Sequence, residues 1–114
     1  MKCHLEISAA YSGENSNISG NIEVPNTGRT HRIMCSGSAS ERGMTANVDG
    51  ETYWWCGGEE NESGTRDIEE AVDEAYEDCW KQVEELGFDV EGSWTAVYVD
   101  GEVISVTEHE DIDE

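Results

Sequence analysis

The residues of this chain that could do chemistry are few and scattered. His31 and Cys35 would share one face of a strand, and Cys3 and His4 adjoin near the start of the chain. Zinc requires a convergent set of four such ligands at short recurring spacings, and neither pair belongs to one. Cys3, Cys35, Cys56 and Cys79 contain no CxxC pair, so buried thiols in a reducing compartment are expected; the even count leaves a disulfide pair as the alternative. The acid clusters Glu59-Glu60-Asn61-Glu62 and 108–114 lack the spacing of a calcium loop. Gly57-Gly58 is too short to cradle a phosphate, and Ser36, Ser38 and Ser40 have no ordered His and Asp around them. A carboxylate pair for glycoside hydrolysis exists in any acidic chain, and nothing specifies one here. No enzyme, metal or cofactor is therefore expected.

What remains is charge, and it is unevenly distributed. From Met1 to Gly57 four basic residues (Lys2, Arg29, Arg32, Arg42) oppose six acids, a net of −2. The rest of the chain holds the other 21 of the 27 acids with only Arg66 and Lys81, a net of −19. A surface of one sign repels phosphates and anionic lipid and attracts basic proteins, so neither direct nucleic-acid binding nor membrane binding is expected. The start of the chain shows no apolar signal segment, and no apolar run is long enough to span a bilayer. A cytoplasmic location is the expectation.

The elements that must carry this charge can be read from periodicity. Cys3 to Tyr11, Ile18 to Val24, 30–36 and Met44 to Val48 each alternate with period two, as half-buried strands do, and Thr52 to Cys56 follows as an aromatic strand. Asp49-Gly50 and Asp100-Gly101 are hairpin signals, because their residues tolerate positive φ. Ser12 to Asn17, Ser36 to Gly43 and Gly57 to Gly64 read as turns or loops. The period then changes. Ile68, Ala71, Val72, Ala75, Tyr76, Cys79, Trp80, Val83 and Leu86 form one apolar stripe of a helix of about five turns. Thr65 or Asp67 would cap it, with Asp67 and Glu70 in capping-box spacing, and Gly87 would close it. Trp94 to Val99 and Val103 to Val106 follow as strands. The order predicts an α+β fold: a curved, mostly antiparallel sheet of five to seven strands with one long amphipathic helix on one face. A chain of 114 residues makes one domain, placed at 1–107, with a loose acidic tail at 108–114.

The polar side of that helix carries Glu69, Glu70, Asp73, Glu74, Glu77, Asp78, Glu84 and Glu85, with Lys81 opposing them. Like charges four residues apart cost about 0.2–0.5 kcal/mol each where unscreened, out of a total stability of roughly 5–15 kcal/mol for a domain. These eight acids are the candidate partner-binding residues. Tyr53, Trp54 and Trp55 are the candidate apolar anchors, Trp55 foremost; Trp54 and Trp55 must point to opposite faces of a strand, so that one faces the core and the other solvent.

In size, in the acid-rich helix at 66–86 and in the acidic tail EHEDIDE at 108–114, the chain resembles the small acidic inhibitors encoded by phages and mobile elements, among them anti-CRISPR and DNA-mimic antirestriction proteins. The likeness is one of character, covers about half the chain and brings no motif. It implies blockade of a CRISPR effector or another nucleic-acid-binding defence enzyme, in the host cytoplasm if the protein is phage-encoded. A row of carboxylates would imitate phosphates in a basic groove. Three alternatives stand beside it: a solvated acidic surface with no partner, a non-enzymatic assembly protein that binds through apolar surface, and salt adaptation. The near-neutral first half argues against the last. An exposed tryptophan face would also leave a homodimer open.

Overall fold

The computed structural model describes residues 2–10, 15–24, 27–38, 43–55 and 64–109. It contains seven strands and one helix, in the order β1 (Cys3–Ala10), β2 (Asn15–Val24), β3 (Arg29–Ser38), β4 (Gly43–Val48), β5 (Glu51–Trp55), α1 (Arg66–Glu85), β6 (Ser93–Val99) and β7 (Glu102–His109). All pairings are antiparallel, in one open, curved sheet of order β5-β4-β3-β2-β1-β6-β7. The first five strands form a meander. The helix then crosses the sheet and returns the chain beside β1, which makes α1 the lid of a single layer.

This is the α+β architecture the periodicities predict. Several strands start one residue early, and three ends run further. Asn15 to Asn17 open β2, Gly37 and Ser38 extend β3, and β7 runs through Glu108 and His109, all positions read as turn, loop or tail. A polar residue on the solvated face of a sheet looks like loop in sequence, and its pairing is fixed by the neighbouring strand. Tyr11, Cys56, the linker acids 59, 60 and 62, and residues 110–114 lie outside the described residues.

The strands alternate as expected. Cys3, Leu5, Ile7, Ile18, Ile22, Ile33, Cys35, Ala46, Val48, Trp55, Trp94, Ala96 and Tyr98 form the inner face, with Ala71, Val72, Ala75, Cys79 and Val83 of the helix closing over it. Tyr76 reaches β2, where its hydroxyl and that of Ser16 are hydrogen-bonded at 2.8 Å. Trp80 meets Trp94 edge to face with 5.5 Å between ring centroids, and the Trp94 Nε1–H donates to the Val90 carbonyl at 3.2 Å.

Both predicted hairpin turns form, with positive φ at Asp49 and Gly50 and at Asp100 and Gly101. Gly20 is demanded by close approach: at φ 134° a Cβ there would lie 2.0 Å from the His4 carbonyl oxygen across the β1–β2 ladder. At the helix C-terminus, Gly87 donates to Glu84 and Phe88 to Val83, the two bonds of a Schellman motif. Thr65 is the N-cap residue but makes no side-chain cap bond. Its Oγ1 accepts the Trp55 Nε1–H at 2.7 Å instead, which ties the helix start to β5, and Asp67 lies inside the first turn, past the position from which an Asp67–Glu70 capping box would act.

Candidate functional site

The helix sits with its apolar stripe on the sheet, so its opposite side faces solvent. Asp67, Glu70, Asp73, Glu74, Glu77, Glu84 and Glu85 are exposed there, together with Lys81. At 1.5 Å rise per residue these seven carboxylates span about 27 Å, a mean axial spacing of about 4.5 Å, against about 3.4 Å between charges along one nucleic-acid strand. One exposed ion pair interrupts the row: Arg66 Nε lies 3.2 Å from Glu70 Oε1. Exposed pairs of this kind contribute little, so Glu70 remains available to a competing cation.

The expected site residues divide into two groups. Glu70, Asp73, Glu74, Glu77, Glu84 and Glu85 stand on the open face. Glu69, Asp78 and Trp55 do not. Glu69 is buried at 4 % exposure. Asp78 is half-buried, and its Oδ2 accepts the Tyr98 hydroxyl at 2.5 Å and the Gln82 amide at 2.9 Å. Gln82 also donates to the Gly101 carbonyl and accepts from the Val103 N–H. Asp78 therefore fastens the helix to the β6–β7 hairpin through Oδ2, which ties its carboxylate to the fold and away from the open acidic row. Trp55, at 1 % exposure and bonded to Thr65, is core; it offers no surface to an anchor site. Its neighbour Trp54 is half-exposed on the far face of the sheet. Asp67, taken as a cap in the sequence, joins the acidic row, and its place three residues before Glu70 was the available signal.

Electrostatics within the row are uneven. Asp73 is open to solvent on one side, yet burial of its other side raises its carboxyl to about 6, with Glu69, Glu77 and Glu70 adding like-charge repulsion. It is ionised at neutral pH but at a cost to the fold. The sign follows from linkage. A carboxyl with folded pKa above its unfolded value of 3.8 binds its proton more tightly when folded, so its contribution to stability grows as pH falls through 6 towards 4. Asp73→Asn is expected to raise the melting temperature at pH 7 and to flatten the gain in stability between pH 7 and pH 5. Parallel melts of both proteins at pH 5, 6 and 7 check this; identical pH profiles would contradict it.

The residues that suggested other chemistry are placed elsewhere. His31 Nδ1 is 2.7 Å from Asp49 Oδ2, whose second oxygen accepts the Arg32 N–H. Cys3, Cys35 and Cys79 are buried and free. Burial pushes the Cys35 thiol up to about 12, with Asp73 adding to it, and does the same to Cys79 with Asp78 adding. Thiols so shifted are poor nucleophiles and poor metal ligands. Among the described residues no group of three or more His, Cys, Asp or Glu could hold a metal ion, and no helix is long and apolar enough to cross a membrane.

No family model, curated protein or solved structure matches this chain.

Proposed function

We propose that the protein is a non-enzymatic inhibitor of a nucleic-acid-binding defence complex, of the anti-CRISPR or DNA-mimic antirestriction kind, acting in the cytoplasm of the host cell. The exposed acidic row of α1 enters a groove lined with Lys and Arg that normally holds nucleic acid. The observation that carries this reading is the alignment of seven solvent-facing carboxylates on the outer side of one rigid helix. A folded helix holds charges at fixed spacing, so little order has to be imposed on binding. Steering by the field of this face speeds encounter with a basic partner, and counterions leave the groove as the carboxylates replace phosphates.

The partner-binding residues under this reading are Asp67, Glu70, Asp73, Glu74, Glu77, Glu84 and Glu85. No anchor is assigned to Trp55.

A second reading, an assembly protein that binds through apolar surface, draws on Met34 and Trp54, which are exposed on the other side of the sheet. Salt separates the two. A partner captured from bacterial lysate should bind the decoy face at least about tenfold more weakly at 200 mM than at 50 mM salt, because exposed charges are screened beyond a Debye length of roughly 7–14 Å in that range. A change below about twofold would point to the apolar interface.

A further inference from the structure

The face of the sheet opposite the helix is uncovered by any described residue. Its residues follow from register: His4, Glu6 and Ser8 of β1, Asn17, Ser19 and Asn21 of β2, Arg32, Met34 and Ser36 of β3, Thr45 and Asn47 of β4, Trp54 of β5, and Thr95 and Val97 of β6 all point outward. Solvated faces of antiparallel sheets are ordinarily polar, and most of this one is. Two large apolar residues are exposed on it. Met34 is 64 % exposed and Trp54 50 %. The Trp54 ring lies over Gly43, where an added Cβ would sit 2.9 Å from its Cζ2, so one side of the ring is held and the other is open. Shallow grooves flank Met34 on both sides, one lined by Arg32, Asn47 and Asp49 and the other by Ser19, Asn21 and Arg32.

We infer that this outer face is the interface with a second copy of the chain. Charge selects the occupant. Each copy carries −21, so two copies repel wherever their acidic surfaces meet. The outer face is the exception: Glu6, Glu23 and Glu102, with Asp49 at its rim, stand against Lys2 and Arg32, two net negative charges among the described residues. Most of its remaining polar groups are amides and hydroxyls, which both donate and accept. They can therefore meet their own kind across a two-fold axis, as an isologous interface requires. Area agrees. Six inter-strand spacings of about 4.8 Å and strands of about 25–30 Å give on the order of 700–850 Å², close to the ~800 Å² each partner gives to an interface of standard size. The helices then lie on the two outer sides of the dimer, with the acidic rows turned away from each other.

This inference is independent of the decoy reading, and salt moves the two in opposite directions. Screening weakens a basic partner's hold on the helix but relieves repulsion between copies. Sedimentation of the full chain should show a monomer of 12.6 kDa giving way to about twice that mass as salt rises from 50 to 500 mM. The double substitution Met34→Ser and Trp54→Ser should raise the dimer dissociation constant at least about tenfold, with the circular dichroism unchanged. Thr45→Glu should do the same by setting carboxylates against each other, and it keeps the test valid if the double variant does not fold. A wild-type monomer at every salt concentration would overturn the inference, as would a dimer indifferent to both variants, which would place the contact elsewhere, for example at the β7 edge. A monomer whose Trp54 emission responds to a neutral oligosaccharide would assign the face to carbohydrate and overturn it equally.

Discussion

Reversing Glu70, Asp73, Glu74 and Glu77 together to Lys is expected to abolish binding to the basic partner, a loss of about a hundredfold or more, which is about 2.7 kcal/mol or more. All four side chains are exposed, so their replacement leaves the apolar stripe of the helix untouched. The internal electrostatics change little in sum. Glu70–Glu74 and Asp73–Glu77 become lysine pairs and stay repulsive, the Arg66–Glu70 and Glu77–Lys81 attractions turn repulsive, and the new lysines at 73 and 74 gain Glu69 and Asp78 as i,i−4 and i,i+4 partners, two pairs lost against two gained. Lysines in the first turns oppose the helix dipole by a few tenths of a kcal/mol. The melting temperature should therefore stay within about 5 °C of wild type. The isosteric set Glu→Gln and Asp→Asn should bind at an intermediate level, because it removes attraction without adding repulsion. A charge-reversed protein that folds and binds at full strength would remove the acidic row from the interface.

The largest effect on stability is expected from Trp94→Ala. Trp94 has 0 % exposure, packs edge to face on Trp80 of the helix, and donates its indole N–H to Val90. It sits on β6, the strand that the helix crossover delivers beside β1, so it joins the late strands to the early meander. Truncation of a buried Trp costs about 3–5 kcal/mol in a domain whose whole stability is about 5–15 kcal/mol. Thermal unfolding should shift down by roughly 12 °C or more. Trp54→Ala, on the uncovered face, should shift it by only a few degrees. The contrast is read in one set of melts, and equal effects of the two substitutions would mean that the helix does not seal the core at Trp94.

The fold was legible where side-chain chemistry repeats. Period-two alternation located the first four strands, the aromatic run and the two Asp-Gly pairs located the other three with hairpins whose φ values are positive at both positions, and the 3.6-residue stripe located the helix. Strand order was not legible, because β6 joins β1 through a crossover that leaves no local mark. The candidate site was legible as a row of acids but not in its membership. Glu69 falls in the series 69, 72, 76, 79, 83 with Val72, Tyr76, Cys79 and Val83, and that spacing already places it on the sheet side of the helix. Its charge obscured the signal, since acids are rarely buried. Asp78 is held by Tyr98 and Gln82, a tertiary contact that no local pattern announces. Between Trp54 and Trp55 alternation guaranteed opposite faces, and only the packed sheet decides which face the helix covers. The same packing assigned Thr65 to Trp55 in place of a cap.

Displacement of nucleic acid decides whether the helix is a decoy. The basic partner is saturated with a labelled nucleic acid that it binds, and the protein is titrated in at fixed low salt. A decoy occupying the same groove raises the apparent dissociation constant of the nucleic acid in proportion to the concentration of free inhibitor, and excess nucleic acid reverses it completely. A ternary complex, in which the protein binds while the nucleic acid stays in the groove with unchanged affinity, would show that the acidic row acts somewhere else.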